Sequence, residues 1–140
     1  MSDMSARDLA SRYVAVWIEP DARLRCTAVR ELWAQDGAHI LQPPREIRQA
    51  AVGLGFTSIV MEARGHAELE ARVTRAYQEF VAPGQFTFQA RDNAGRLHNI
   101  VKFTWDMVPT DGGEAAGTGL EILVLGADGR IETDYQFIET

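Results

Sequence analysis

Residues 120–138 read LEILVLGADGRIETDYQFI, and this stretch decides the fold class. Residues 120–125 and 131–138 each have the length and the branched and aromatic content of a β-strand. The Ala-Asp-Gly sequence at 127–129 between them has the composition of a turn. The stretch therefore predicts two antiparallel strands joined by a short connection.

The same strand-like composition continues on the N-terminal side of this stretch. Residues 86–90 and 97–108 are also predicted strands, separated by turn residues at 92–95 and followed by a second turn at 110–113. The second half of the chain therefore predicts an antiparallel meander.

The first half of the chain shows helical periodicity instead. Ser5 and Asp8 form a capping pattern that opens a helix running to Pro20, and Asp21 can cap a second helix that runs until Asp36-Gly37. Apolar residues recur at spacings of three and four in both segments. Two consecutive amphipathic helices are expected.

The remaining segments before the meander are shorter. Residues 38–42 predict a strand and 46–51 a short helix, whereas 52–62 has no clean period and fits either a lid or an ordinary helix. A third long helix follows Gly65 and ends at Pro83-Gly84. The fold class is therefore α+β, with three N-terminal helices packed on one face of an antiparallel sheet, in a single domain covering 1–140.

Composition narrows the possible partners. The 140 residues carry 14 basic and 20 acidic side chains, a formal charge of −6, which is the wrong sign for binding a phosphate backbone. The longest uncharged run, 49–61, is shorter than the roughly 20 residues that a membrane helix needs. We therefore expect neither a nucleic-acid partner nor a membrane partner.

The cysteine content and the N-terminus bear on the cellular compartment. Cys26 is the only cysteine, so no intramolecular disulfide can form. Charged residues occur where a signal peptide would need an apolar core. Both features favour the cytoplasm.

Four short motifs occur in order along the chain: Arg12-Tyr13, LWAQDG at 32–37, Gly65-His66-Ala67 and Asp128-Gly129-Arg130-Ile131. In this order and spacing, the chain resembles the nuclear transport factor 2 (NTF2)-like superfamily, which includes SnoaL-like polyketide cyclases and ketosteroid isomerase. The resemblance implies a curved, cone-shaped sheet wrapped around the helices, with one apolar pocket at its wide end. It also implies a homodimer formed through the outer face of the sheet.

The resemblance assigns roles to individual residues. Tyr13 corresponds to the oxyanion-hole tyrosine of ketosteroid isomerase and Glu121 to its protonated aspartic acid, whereas Gln42 replaces the proton-abstracting aspartate. Gln136 stands where SnoaL-like cyclases have a catalytic aspartate on the last strand. A neutral amide cannot act as a base. Asp134, two residues earlier on the same strand face, is the substitute, so the catalytic candidates are Tyr13, Glu121 and Asp134.

Each catalytic candidate also has an ordinary structural interpretation. Strand alternation surrounds Glu121 with apolar neighbours on both faces, which should raise the pKa of its carboxyl group. Alternatively, Glu121 pairs with an arginine or lies at the sheet edge. Asp134 is otherwise a solvated acid, and Tyr13 is otherwise a core residue whose hydroxyl finds one partner.

Further residues are expected to hold a substrate. Asn99 shares a predicted strand face with Phe103 and Trp105, so its amide either points into the cone or lies at a strand end near a turn. Aromatic residues at helical or strand spacing belong to the core, and some of them also line the pocket. The substrate-binding candidates are Trp17, Trp33, Gln42, Asn99, Phe103, Trp105 and Gln136.

A metal site is not expected. His39, His66 and His98 lie far apart and form no recognised ligand pair. Alternation with Ile40 places His39 on the outer face of its strand, His98 alternates away from Asn99, and His66 falls in an exposed first helical turn. No cofactor is expected either.

Two functions of different classes remain. The first is an isomerase, cyclase or lyase that acts on an apolar carbonyl compound without a cofactor; the second is a non-catalytic ligand-binding or dimerisation domain. Arg130 is the only basic residue in 103–140, which carries eight acidic ones. An acidic pocket wall would disfavour anions, so the expected ligand is a neutral or cationic apolar small molecule.

Overall fold

The computed structural model describes residues 5–57 and 59–139. Helix α1 (Ala6–Trp17) begins where the side chain of Ser5 accepts a hydrogen bond from a backbone amide one turn later. Helix α2 (Ala22–Leu32) begins where Asp21 accepts two such bonds. These side chains satisfy amides that have no partner within the helix, so both helices start at the predicted positions.

Helix α2 ends four residues earlier than its periodicity predicts, because residues 33–37 belong to strand β1 (Trp33–Gln42). Trp33 is the register partner of Ile131 and is fully buried. A β-carbon at Gly37 would lie 3.0 Å from the carbonyl oxygen of Ile131, so only glycine allows this close approach. Pairing with a distant strand overrides the local helical pattern.

The connection between β1 and the third long helix contains regular structure. Helix α3 (Arg45–Gly53) is longer than the short helix predicted at 46–51, and strand β2 (Met61–Arg64) takes the end of the aperiodic segment 52–62. Ser58, within that segment, lies outside the described residues. Helix α4 (His66–Ala76) then continues into a π-helical turn (Tyr77–Val81).

Five strands complete the fold: β3 (Phe86–Ala90), β4 (Gly95–Leu97), β5 (Ile100–Pro109), β6 (Gly117–Leu125) and β7 (Ile131–Ile138). The strand order is β2-β1-β7-β6-β5-β3, and β4 pairs with β5. Strands β1 and β7 are parallel and the other pairs are antiparallel, so the sheet is mixed where an antiparallel one was expected. The α+β class is confirmed, with four α-helices in the described part rather than three.

The helices cover one face of the sheet, and the core lies between them. Leu69 and Val73 of α4 are buried as their spacing predicts, and they belong to the same cluster as Val101, Leu123 and Ile131 of the sheet. Trp33 and Phe103 fill the centre of this cluster. In the part of the chain that the structure describes, no helix has the length and apolar character to cross a bilayer.

Candidate active site

Sheet register brings four polar side chains together on the helix-covered face. Glu121 of β6 is the register partner of Gln136 on β7, and Asp134 is the partner of His39 on β1. Register partners on neighbouring strands point to the same face of a sheet. Glu121, Asp134 and His39 are each at most 1% exposed. The sheet therefore buries two acids and a histidine side by side.

Tyr13 reaches this group from α1. Its hydroxyl oxygen lies 2.6 Å from Oδ2 of Asp134 and 3.1 Å from Oε2 of Glu121. The rings of Trp33 and Phe103 each lie 5.5 Å from the Tyr13 ring, centroid to centroid, and hold it in place. The three catalytic candidates thus meet at one hydroxyl group.

The number of available hydrogens indicates which of Tyr13, Glu121 and Asp134 carry a proton. A phenol has one hydrogen to donate, and the shorter contact directs it to Asp134. The contact with Glu121 is then a hydrogen bond only if Glu121 is protonated and donates to the Tyr13 oxygen. Burial, and next the charge of Asp134, raise the pKa of Glu121 well above its usual range. Burial and the two acids also raise the pKa of Tyr13, which keeps its proton.

Trp105 satisfies the other oxygen of Glu121. The indole nitrogen of Trp105 donates to Oε1 of Glu121 over 2.8 Å, which suits the carbonyl oxygen of a protonated acid. The indole lies directly over Gly119, its register partner on β6. A β-carbon there would lie 2.1 Å from Cζ2 of Trp105, so glycine is required for this contact.

His39 is held between an arginine and an amide. Nη1 of Arg72 lies 2.9 Å from Nδ1 of His39, and an arginine can only donate, so Nδ1 carries no hydrogen. The hydrogen is therefore on Nε2, which donates to Oε1 of Gln136. Burial chiefly, with help from Arg72, lowers the pKa of His39, so the ring is neutral. The amide nitrogen of Gln136 remains available to a ligand.

A cavity of about 640 Å³ opens beside these groups. Tyr13, Glu121, His39 and Gln136 line it, and apolar side chains form most of the remaining wall. Asp134 is not part of the wall. Its Oδ1 is buried and has no hydrogen-bond partner among the described residues. Asp134 therefore lies behind Tyr13 and cannot touch a ligand directly.

The predicted substrate-binding residues divide into three groups. Trp17, Trp105 and Gln136 line the cavity. Trp33 and Phe103 belong to the core behind it. Gln42 and Asn99 are away from it: Gln42 contacts a second cavity, of about 430 Å³, together with Ile40 and Tyr135, and Asn99 is an exposed turn residue whose amide faces the carbonyl of Leu125.

Strand phase explains why both residues lie away from the first cavity. Gln42 is three residues from His39 on a strand of period two, so the two side chains point to opposite faces. Strand β5 begins only at Ile100, so Asn99 does not take part in the alternation that places Phe103 inside.

Three residues were missed or misplaced by sequence reasoning, and two of them, His39 and Arg72, line the cavity. His39 was assigned to the outer face because Ile40 was taken as inward, but both faces of this strand carry apolar residues. His66 is half-buried and contacts the carbonyl oxygen of Trp33, not solvent alone. Arg72 lies on α4 among other charged residues and has no sequence signature. If the pairing of β1 with β7 had been known, His39 would have been recognised as a site residue, because it is the register partner of Asp134.

His39, Glu121 and Asp134 are close enough to suggest a metal site, since one ligand atom from each lies within 4.8 Å of the others. The second nitrogen of a metal-bound histidine normally donates to an acceptor. Here that nitrogen faces a donor, Arg72, and Nε2 carries the hydrogen. These residues fit a hydrogen-bond network better than a metal ion.

Comparison with solved structures shows which known folds this chain is similar to. A SnoaL-like family protein from Agrobacterium tumefaciens strain C58, proposed to be an isomerase, is 22% identical with a TM-score of 0.74, covering 94% of this chain and 95% of that one. An NTF2-like protein of unknown function from Mesorhizobium loti is 15% identical with a TM-score of 0.62, covering 100% and 97%. A cystatin-like protein from Xanthomonas campestris is 18% identical with a TM-score of 0.62, covering 98% and 92%.

The chain has the NTF2-like fold. No protein-family model and no curated protein matches the sequence. The agreement is therefore one of NTF2-like architecture.

Proposed function

We propose that this NTF2-like protein is a cofactor-independent isomerase, cyclase or lyase that moves a proton on an apolar carbonyl compound. The observation that carries the proposal is the hydroxyl group of Tyr13, which joins two buried carboxyl groups of which only Glu121 lines the cavity. Buried acids with shifted pKa values in a cavity are typical of functional sites.

Glu121 is the group that exchanges a proton with the ligand. In the resting arrangement Glu121 and Tyr13 each hold a proton and Asp134 is a carboxylate. A shift of one proton from Glu121 to Tyr13, and of another from Tyr13 to Asp134, leaves Glu121 ionised at the cavity wall. It can then take a proton from a carbon next to the carbonyl group of the ligand.

The final product depends on where that proton goes. Returning it to another carbon gives an isomer. In a cyclisation the enolate carbon attacks a second carbonyl carbon of the ligand, and the proton goes to the alkoxide oxygen that this attack forms. Giving the proton to a leaving hydroxyl group gives a lyase reaction. Asp134 stores the proton through Tyr13 and so acts as a positioning residue. This division of roles differs from the expectation that Tyr13 polarises the carbonyl and Asp134 moves the proton.

Gln136 is the group that we assign to the carbonyl oxygen. Its own Oε1 accepts from His39, so its amide nitrogen keeps two hydrogens to donate, and Gln136 is part of the cavity wall. Fixed donors aimed at an oxygen that gains negative charge lower the barrier to forming an enolate. His39 thus positions Gln136 and does not act as a base.

Hydrogen–deuterium exchange tests the proposal without knowledge of the natural substrate. Bicyclic ketones such as 2-tetralone are incubated with the protein in D₂O, binding is followed through tryptophan fluorescence, and deuterium at the α-carbon is measured by NMR. We expect exchange above the buffer rate, and a loss of roughly 100-fold or more in Glu121→Gln. Glutamine reproduces the acceptor and donor of the protonated acid, so the fold should survive.

Glu79→Gln is the matched control, because Glu79 lines the same cavity but is exposed and paired with Arg75. Its exchange rate should stay within about threefold of the wild-type rate. If ketones bind without exchange, proton transfer at this site is excluded and a binding domain remains. If Glu121→Gln exchanges as fast as wild type, Glu121 is not the group that moves the proton. If no apolar ketone binds, the proposed ligand class is wrong.

We also propose that the outer face of the sheet forms a homodimer. Tyr135 is 40% exposed there, and the exposed residues Val52 and Val60 line the second cavity together with it. Contiguous exposed apolar surface of this kind is typical of a protein interface. Sedimentation should give a dimer, and Tyr135→Lys should shift it to the monomer.

A further inference from the structure

We propose that Arg72 forms an anion-binding subsite in this cavity, so that the ligand is an apolar carbonyl compound bearing a carboxylate or a similar acidic group. The part about the reacting carbonyl rests on the proposed function, whereas the binding of the acidic group does not. Neither the sequence motifs nor the structural relatives assign a role to this residue.

The guanidinium group of Arg72 is only partly used by the protein. Its Nη1 contacts Nδ1 and the carbonyl oxygen of His39 and, at 3.3 Å, the carbonyl oxygen of Met61. All three partners are neutral. For Nε and Nη2 the described residues provide no hydrogen-bond partner. Two donors of a planar fork are therefore left for a carboxylate, which accepts such a fork with two parallel hydrogen bonds.

Arg72 is also the charge in the cavity wall that makes no salt bridge among the described residues. Of the charged residues that line the cavity, Arg75 and Glu79 pair with each other at 3.7 Å, and Glu121 holds a proton. No carboxylate of the described residues lies within 4.0 Å of Arg72. The nearest buried acid, Asp134, lies on the far side of the His39 ring.

Burial adds a physical reason for an anionic partner. Arg72 is half-buried, and removal from water lowers its pKa, although a guanidinium stays charged in proteins. Asp134, Glu68 and Glu62 raise that pKa, but none of them is in salt-bridge contact with Arg72. A partly dehydrated cation without a contacting counterion is stabilised when an anion binds beside it. A ligand carboxylate in the cavity would supply that anion.

This position revises the expected charge of the ligand. The expectation of a neutral or cationic molecule came from the acidic composition of residues 103–140. Of the eight acids there, Glu121 alone lines the cavity, and burial raises its pKa well above the usual range, which disfavours a negative charge at the wall. The acidity of the sheet therefore lies away from the ligand, while α4 contributes a cation to the wall.

The geometry also limits the shape of the ligand. His39 separates Arg72 from the acids and also lines the cavity. A carboxylate on Arg72 and a reacting carbon at Glu121 therefore lie on either side of one imidazole ring, with Gln136 close to that ring. A compact oxo acid with an apolar body fits this spacing.

Two probes of equal shape test the subsite without any reaction. 2-Naphthoate and 2-naphthamide differ in charge but not in size, and binding is measured by the fluorescence of Trp17 and Trp105, which line the cavity. At low ionic strength and about pH 8, we expect the wild type to bind naphthoate roughly tenfold more tightly or better, as a charge-assisted pair contributes.

Substitutions then locate the preference. Arg72→Gln should bring the two affinities within about twofold of each other, and Arg72→Lys should retain part of the preference. Arg75→Gln is the control, since Arg75 is exposed and already paired, and it should keep the wild-type ratio. Affinity for naphthamide reports whether each variant is folded.

An equal affinity for the two probes in the wild type would overturn the subsite, as would a preference that survives in Arg72→Gln. If that variant fails to fold, the Arg72 Nε–H resonance in ¹⁵N spectra of the wild type decides: it should move with naphthoate and not with naphthamide. These measurements involve no proton transfer, so a failure of ketone exchange leaves them interpretable.

Discussion

The hydroxyl oxygen of Tyr13 lies 2.6 Å from Oδ2 of Asp134. This distance is typical of a hydrogen bond between a hydroxyl group and a carboxylate. It ties α1 to the last strand of the sheet and places the phenol oxygen between two acids. The buried charge of Asp134 depends on it, because Asp134 Oδ1 has no hydrogen-bond partner among the described residues.

Tyr13→Phe should lower the free energy of unfolding by about 1–3 kcal/mol, because it leaves a buried carboxylate without its donor. Urea denaturation near neutral pH measures the change. Tyr77→Phe removes a half-buried hydroxyl group that has no hydrogen-bond partner among the described residues and keeps the ring beneath Arg25, so it should change the free energy of unfolding by less than about 0.5 kcal/mol. Equal effects of the two substitutions would show that the hydroxyl group of Tyr13 does not stabilise the fold.

Glu121 should make stability depend on pH. The folded chain keeps a proton on Glu121 that the unfolded chain releases near its ordinary pKa of about 4.3. The free energy of unfolding therefore falls as the pH rises from about 4.3 towards the folded pKa, by up to about 1.4 kcal/mol per pH unit.

Glu121→Gln should remove this contribution, so the stability of the variant relative to wild type grows as the pH is raised. The comparison also cancels the opposite effect of His39, whose lowered folded pKa makes stability rise with pH. Denaturation series between about pH 5 and pH 8 measure it, with Glu79→Gln as the control. A constant difference between Glu121→Gln and wild type would contradict the assigned proton.

Gly119→Ala should disturb the site through Trp105. The new β-carbon would overlap the indole ring, so the ring must move and its hydrogen bond to Glu121 breaks. We expect a loss of about 1–3 kcal/mol and a changed near-ultraviolet circular dichroism spectrum.

Gly117→Ala is the matched control on the same strand, because its β-carbon would lie 3.6 Å from Cε of Met107, an ordinary contact. It should leave the spectrum unchanged. Should both alanines be tolerated alike, the tight packing of Trp105 against β6 does not constrain the site.

His39 should be neutral with its hydrogen on Nε2 throughout the neutral pH range. The ¹⁵N shifts of its ring nitrogens report the tautomer directly. Because Arg72 donates towards Nδ1, added Zn²⁺ should leave both the shifts and the melting temperature unchanged. A zinc-dependent shift at Nε2 together with a raised melting temperature would instead establish a metal site at His39, Glu121 and Asp134.

Most of the fold was predictable because its signals are local. Ser5 and Asp21 satisfy helix amides within three residues, and the turn after β6 shows in its own composition. The boundary between α2 and β1 was not predictable from periodicity. Trp33 continues the apolar face of the helix in sequence, but it forms strand pairs with β7 in the structure.

The candidate site was predictable only where one residue carries its own signal. Glu121 stands out because its neighbours on both strand faces are apolar, and Asp134 because it shares a face with Gln136. The two placements left open for Asn99 could not be separated from the sequence, because the start of β5 decides which residues alternate. His39 was missed because its face depends on the pairing of β1.

The sequence by itself determined the fold class, the helix starts and the identity of the acids, since these follow from interactions between residues close together in the chain. Only the tertiary structure decided that Tyr13 lies between Glu121 and Asp134, that Asp134 is behind the cavity wall, and that Arg72 faces the cavity. These relations depend on the parallel register of β1 with β7 and on the packing of α1 and α4 against the sheet. The register and the helix packing are both set by contacts between segments that are distant in the chain, and local sequence patterns do not encode such contacts.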